Sequence, residues 1–279
     1  MRRTGGIEAL REWRAAQTGA VALVPTMGAL HSGHRALMDR ARESADAVVT
    51  SIFVNPLQFG PGEDFDRYPR PFEDDLRLCE SAGVDFVFAP AQEEMYPSAP
   101  QVTVSSGRMG QVFEGAARPG HFDGVLTVVA KLFHLVRPDS AVFGLKDIQQ
   151  FSLVKRMIAD LDMGIELIGL PVVRDADGLA MSSRNQYLSA ADRTAALVIP
   201  RALAAGAARA EAGPAAVEAA AREVVAAAAE TGSFELDYLS LVEAATFRPC
   251  PADFRGPALL LLSATVGGTR LIDNRPVEF

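Results

Sequence analysis

The chain has 279 residues, a length that suits one large domain or two unequal ones. With 49% hydrophobic and 22% charged residues, it has the balance of a globular protein with a sizeable core. Its formal net charge of -8 argues against nucleic acid as a main partner, because such polyanions are held through cationic surfaces.

Met1-Arg2-Arg3 is followed by Glu8, Arg11 and Glu12, which interrupt any secretory apolar stretch, so the cytoplasm is the expected location. Val21–Val24 is a short apolar run before Pro25 and a glycine turn, and predicts a buried strand feeding a loop. His34–Ser44 places Leu37, Met38 and Ala41 at helical spacing, and Ala47–Val54 is a β-branched run that predicts a second strand. Glu73–Ala82 reads as helix and Val84–Phe88 as strand. Phe122, Val125, Leu126, Val129, Leu132, Phe133 and Val136 recur at three- and four-residue spacing, a strong amphipathic helix. Ser140–Phe143 reads as strand, Ile148–Leu161 as helix and Ile165–Leu170 as strand.

Apolar strands alternating with helices predict an α/β domain with a parallel sheet covered on both faces. Ligands of such sheets bind beyond the carboxyl ends of the strands, which draws attention to Pro25–His34, Asn55–Gly62 and Gly144–Gln150. The last third differs. Ala190–Glu230 is alanine-rich, and Gly213-Pro214 divides it into two predicted helices. Three strands are expected at Leu236–Val242, Ala258–Val266 and Thr269–Ile272, the last two joined by a Gly267-Gly268 hairpin. The expected organisation is therefore residues 1–171 as the sheet domain and 172–279 as a smaller α+β domain. The longest apolar run, Ala258–Leu262, is too short to span a bilayer. Cys79 and Cys250 stand far apart with no Cys-x-x-Cys pair, so no zinc site or disulfide framework is expected.

The stretch Pro25-Thr26-Met27-Gly28-Ala29-Leu30-His31-Ser32-Gly33-His34 carries the clearest chemistry. Its glycines let backbone approach a bulky ligand, and the helix amino end offers N–H groups and partial positive charge. Two imidazoles there can donate to phosphate oxygens; alternatively, His31 and His34 are structural caps. A zinc reading is weaker, since the pair lacks the His-x-x-x-His spacing and an acidic neighbour. Met181-Ser182-Ser183-Arg184-Asn185 combines two hydroxyls with a guanidinium, which suits a polyphosphate. In Phe143–Gln150, Lys146 can neutralise phosphate charge, and Asp147 can cap a helix or accept from a ribose hydroxyl. Asn55 and Gln58 follow a predicted strand and supply neutral hydrogen bonds for a hydroxylated organic acid. In the acidic run from Glu73, Asp74 and Asp75 could face a phosphate-bound Mg²⁺, although acidic residues also suit a helix's first turn. Arg118 precedes the long helix and could reach the same region, with His121 as a cap-region residue.

The loop at His31–His34 and the Met181–Arg184 loop resemble the two signatures of the nucleotidyl-transfer superfamily that includes class I aminoacyl-tRNA synthetases. Together with Ser51–Gly60, Arg118–Lys131, Phe143–Gln150 and Arg174–Asn185, they resemble the pantoate–β-alanine ligase (pantothenate synthetase) family. That resemblance implies a Rossmann-like amino-terminal domain, a smaller carboxy-terminal lid domain and a homodimer. It implies ATP as substrate with Mg²⁺, and condensation of pantoate with β-alanine through a pantoyl adenylate. By the same resemblance Met27, Gly28, Ala29, Leu30, His31, Ser32, Gly33 and His34 contact ATP, His34 being the proton donor. Gly144, Leu145, Lys146 and Asp147 bind nucleotide, Val173 and Met181 lie by the adenine, and Ser182, Ser183 and Arg184 hold phosphates. Gln58 and Gln150 hold pantoate. One departure is clear: the family's usual Gly-Glu-Lys-Asp is here Gly144-Leu145-Lys146-Asp147. The alternatives are another adenylyl-transferring enzyme of the same superfamily and a nucleotide sensor without turnover.

Overall fold

The computed structural model describes residues 1–63, 65–229 and 234–279. The chain forms two units, Met1–Leu145 with Gln149–Pro171, and Lys146–Ile148 with Val172–Phe279.

In the first unit, β1 (Arg2–Thr4), β2 (Val21–Thr26), β3 (Ala47–Ile52), β4 (Phe86–Phe88), β5 (Ser140–Gly144) and β6 (Glu166–Leu170) make one six-stranded sheet. All its ladders are parallel, in the order β1-β4-β3-β2-β5-β6. The helices are α1 (Ile7–Ala15), α2 (Ser32–Ser44), α3 (Phe72–Ser81), α4 (Gln92–Met95), α5 (Glu114–Ala117), α6 (His121–Val136) and α7 (Ile148–Asp160). The two-residue period of β2 explains why it is apolar throughout. Val21 and Leu23 enter one core with Leu10, Phe86, Leu126 and Leu153; Ala22 and Val24 enter another with Met38, Leu76 and Val142. Trp13 lies in the first of these cores, its ring 4.8 Å from that of Phe86.

The strand order reverses beside β2, which pairs with β3 on one side and β5 on the other. A reversal of this kind draws attention to the carboxyl edge of the sheet beside β2. β1 was not expected: three polar residues carry no strand pattern, and only their pairing with β4 makes them one. Helix α6 is more deeply buried than the amphipathic reading required. Gly124, Val128 and Leu135 are covered as well as the predicted stripe, because α1 and the short 3₁₀ turn Pro56–Gln58 both pack on it.

In the second unit, β7 (Phe234–Glu243), β8 (Pro257–Val266) and β9 (Thr269–Glu278) form an antiparallel sheet in that order. Its apolar face, with Leu241, Leu260, Leu262 and Val266, meets Leu203 and Val217 of the helices. The first of the two helices expected over Ala190–Glu230 is in fact two, α8 (Ala190–Ala196) and α9 (Val198–Ala207). Pro200 explains the break: its missing N–H is harmless in the first turn of α9 but would open a continuous helix. The second, α10 (Pro214–Ala229), starts as expected after Gly213; Glu230 lies outside the described residues. Strand β9 runs six residues beyond the expected end at Ile272, to Glu278. Asp273, Asn274 and Pro276 read as turn residues, yet they pair with Leu262, Leu261 and Leu259 of β8. Pro276 is tolerated because β9 is an edge strand. Among the described residues, no helix is long and apolar enough to cross a membrane.

Candidate active site

β2 ends at Thr26, and Met27–Leu30 turn over the sheet edge into α2. The turn needs left-handed backbone at Gly28 (φ 85°) and Ala29 (φ 51°). A Cβ at Gly28 would also stand 2.9 Å from Asp75 Oδ2. Asp75 of α3 is buried beneath the loop. Its two oxygens accept from Ala29 N at 3.0 Å and Leu30 N at 2.7 Å. Burial pushes the Asp75 carboxyl above its usual range, against these two backbone bonds, which favour its ionised form.

His31 is the N-cap of α2. Its Nδ1 accepts from Gly33 N at 3.1 Å, and His34 Nδ1 accepts from His31 N at 3.3 Å, a reciprocal capping box built from two imidazoles. The rings lie 4.2 Å apart, tilted by 52°. A ring nitrogen that accepts a backbone N–H carries no proton, so each neutral imidazole holds its proton on Nε2. The capping and chemical readings of the pair are therefore compatible: Nδ1 closes the helix end while Nε2 is a donor. Gly33 is required for this, since a Cβ there would come 2.8 Å from His31 Cε1.

Beyond β3, the turn Pro56–Gln58 presents Gln58, whose Nε2 lies 3.0 Å from Met27 Sδ. A chain of bonds fixes which way this amide faces. Tyr96 Oη donates to Asn55 Oδ1 at 3.0 Å, Asn55 Nδ2 donates to Gln58 Oε1 at 3.1 Å, and Gln58 is left to offer its NH₂. A cavity of about 350 Å³ lies at the carboxyl ends of β2 to β4, lined by Met27, Phe53, Phe65, Arg70, Phe72 and Asp75.

Several of the expected ligand-contact residues are engaged by other parts of the chain. Asn55 is 1% exposed, and its amide is fully used. Its Oδ1 accepts from Tyr96 and from Leu57 N at 3.3 Å, and its Nδ2 donates to Gln58 and to Gly124 O at 3.1 Å. With its amide satisfied in this way, it orients Gln58. Arg118 is likewise engaged within the chain. It makes a fork to Glu63, Nε to Oε1 at 3.0 Å and an Nη to Oε2 at 2.5 Å, and donates to Gln58 O at 3.3 Å. His121 Nδ1 meets the same carbonyl at 2.9 Å, so His121 does more than end a helix. Of the two carboxylates considered for magnesium, Asp74 pairs with Arg77 on an exposed face, and Asp75 is turned under the loop and bonded to its backbone. Among the described residues, no cluster of three or more His, Cys, Asp or Glu side chains could hold a metal.

Glu63 has a measurable signature. Its hydrogen bond with Arg118 holds the carboxyl below its ordinary value of 4.5. The unfolded chain therefore takes up this proton more readily. The pairing's contribution is complete above pH 4.5 and is lost as pH falls through the lower folded value. We expect Glu63→Gln to unfold at lower urea than the parent at pH 7 and to converge with it on acidification. Parallel acid limbs for the two proteins would refute the pairing.

On α7, Gln149 and Gln150 divide the work. Gln149 is buried, donating to Met109 O at 2.7 Å and Val112 O at 2.8 Å and accepting from Glu114 N at 3.1 Å. Gln150, the predicted ligand, is the half-buried neighbour outside that network. Leu145 lies over β6: a Cβ at Gly169 would stand 2.7 Å from Leu145 Cδ2.

In the second unit, Met181 N donates to Val173 O at 2.9 Å. They close a hairpin whose turn carries Gly178 (φ 93°). Arg193 braces that turn through Asp175 at 2.7 Å and Asp177 at 2.8 Å. Ser182 follows as the N-cap of the Ser183–Tyr187 turn, its hydroxyl accepting from Arg184 N at 3.2 Å. The bonds that Asn55, Arg118, Asp75 and Tyr96 make within the chain could not be read from the sequence, because their partners are distant in it.

The pantoate-beta-alanine ligase family profile matches residues 3–276. A pantothenate synthetase of Acidothermus cellulolyticus is 58% identical over 274 residues, covering 96% of this chain and 89% of that protein. The crystal structure of a pantothenate synthetase from Thermus thermophilus superposes with a TM-score of 0.91 at 46% identity, covering 99% of both chains. That of a pantoate-beta-alanine ligase from Francisella tularensis, complexed with beta-gamma ATP and beta-alanine, gives 0.82 at 30% identity, covering 99% of this chain and 97% of that one. The paired histidines beside the strand-order switch thus sit in a fold and a sequence shared along the whole chain, and the chain belongs to the pantoate–β-alanine ligase family.

Proposed function

We propose that the chain condenses pantoate with β-alanine at the expense of ATP, in two steps. A pantoate carboxylate oxygen attacks the α-phosphorus of MgATP; the bond to the β-phosphate oxygen breaks, giving pantoyl adenylate and pyrophosphate. The β-alanine amine then attacks the acyl carbon, loses its extra proton, and AMP departs with the electrons of the broken C–O bond. The observation that carries this reading is the double-imidazole cap at the end of β2, where both Nδ1 atoms accept backbone N–H groups and leave the proton of each neutral ring on Nε2 at a helix amino end.

A carboxylate needs no strong base, so the protein's work is positioning and charge neutralisation. His34 and His31 donate to the phosphates, and Lys146, Ser182, Ser183 and Arg184 neutralise them. Gln58 and Gln150 hold pantoate through their amides. Asp147 accepts from the ribose, and Val173 and Met181 flank the adenine. The magnesium travels with the nucleotide, held through the phosphates. Family resemblance supports a cytoplasmic homodimer. The test is AMP release with MgATP, pantoate and β-alanine, each omitted in turn. AMP that needs all three is the expected result; adenylylation of another small acid would overturn the substrate assignment.

A further inference from the structure

Two segments of the second unit carry phosphate-neutralising side chains in the reaction proposed above. One is the turn containing Lys146, which groups with this unit; the other is Ser182–Arg184. Each belongs to a short 3₁₀ turn, which has few hydrogen bonds of its own to hold a side chain in place. Both are tied to the same strand step, Asp273-Asn274 of β9.

Asn274 Nδ2 donates to Lys146 O at 2.9 Å, across 128 residues of sequence. Asp273, 4% exposed, takes a bidentate pair from Arg174, 2.7 Å from one Nη and 3.1 Å from the other. It also accepts from Asn274 N at 2.8 Å. The same Arg174 guanidinium donates to Gly178 O at 3.1 Å, and residue 174 bridges to Ala180. It therefore clamps the hairpin that runs directly into Ser182. β9 also packs against the Ser183–Tyr187 turn. Adjacent residues of a strand point in opposite directions, which lets one step serve two segments.

We propose that Asp273 and Asn274 are positioning residues that hold Lys146 and the Ser182–Arg184 loop in one rigid frame, so that ammonium, hydroxyls and guanidinium keep a fixed register on the triphosphate. This rests on the assignment of Lys146 and Ser182–Arg184 to the phosphates. The chemistry of the position fits: only a donor can serve the Lys146 carbonyl, so Asn274→Asp keeps the shape and loses the bond.

The experiment compares Asn274→Ala and Asn274→Asp with the parent chain, alone and combined with Lys146→Ala. It reads pantoate-dependent pyrophosphate–ATP exchange, KM for pantoate, Tm, and ATP affinity by calorimetry. Each single variant should lose about 10-fold or more in exchange, since small misplacements of a charge stabiliser are costly. KM for pantoate should stay within about twofold, because the pantoate amides are elsewhere. In the Lys146→Ala background, either substitution should cause little further loss, because the group being positioned is gone. Equal losses in both backgrounds would mean a merely structural role and overturn the proposal, as would full exchange in both single variants. If Asn274→Ala lowers Tm sharply, the isosteric aspartate variant decides. If the parent shows no pantoate-dependent exchange, the ligase reading falls, and the same coupling cycle in ATP affinity still decides the positioning role.

Discussion

His34→Ala is expected to lower pantoate-dependent pyrophosphate–ATP exchange by about 10²-fold or more, the usual effect of deleting one preorganised stabiliser of developing charge. The ring does two things at once. Its Nδ1 accepts the His31 N–H, and this bond forces the proton onto Nε2. Alanine removes both the cap and the donor. Loss of a cap costs about 1 kcal/mol and moves Tm by only a few degrees, so the loss in rate should far exceed any loss of folded protein. His34→Asn separates the two effects, since its carbonyl can still accept from His31 N while no ring Nε2–H remains. It should recover Tm and not rate. Near-wild-type exchange in either variant would remove His34 from the chemistry.

Gly124→Ala is expected to damage the pantoate side of the site from within a buried helix. A Cβ at 124 would stand 2.6 Å from Gln58 N and closer still to the Leu57 carbonyl, both backbone atoms that cannot rotate away. Helix α6 and the Pro56–Gln58 turn must separate, and with them goes the Gly124 O···Asn55 Nδ2 bond that orients the Gln58 amide. Overpacking of this kind costs about 1–3 kcal/mol, which for a chain of this size lowers Tm by roughly 5 °C. The displaced amide should raise KM for pantoate by about 10-fold while leaving KM for ATP near its starting value. The check is a steady-state comparison with each substrate varied. An unchanged KM for pantoate would show that Gln58 is not held by this contact.

Much of the fold was legible because its signals are local. β2, β3 and β5 are apolar on both faces, which only a covered parallel strand requires, and the Gly267-Gly268 hairpin announced itself. The His31–His34 loop stood out as a candidate site because glycine and histidine have few reasons to share a strand-to-helix turn. What could not be read was the division between residues that touch a ligand and residues that hold those that do. Asn55 and Gln58 look equivalent in sequence. They part company only because Tyr96, 41 positions away, and Gly124, 69 away, use up the asparagine. Asp75 lies in an acidic run that suggested a metal, yet its carboxylate is consumed by backbone N–H groups 45 and 46 residues earlier. The true end of β9 was hidden for a related reason: its polar residues are strand residues only because β8 lies alongside.

The position of Trp13 has a practical consequence. It is the only tryptophan in the chain, and it packs against Phe86 in the core of the first unit. Emission excited at the red edge of the absorption band therefore follows the melting of the parallel-sheet unit alone, while far-ultraviolet circular dichroism follows both units. A fluorescence midpoint that coincides with the dichroism midpoint would mean that the units unfold in one cooperative transition. A separation between the two would expose a partly folded species and give its range of temperature directly.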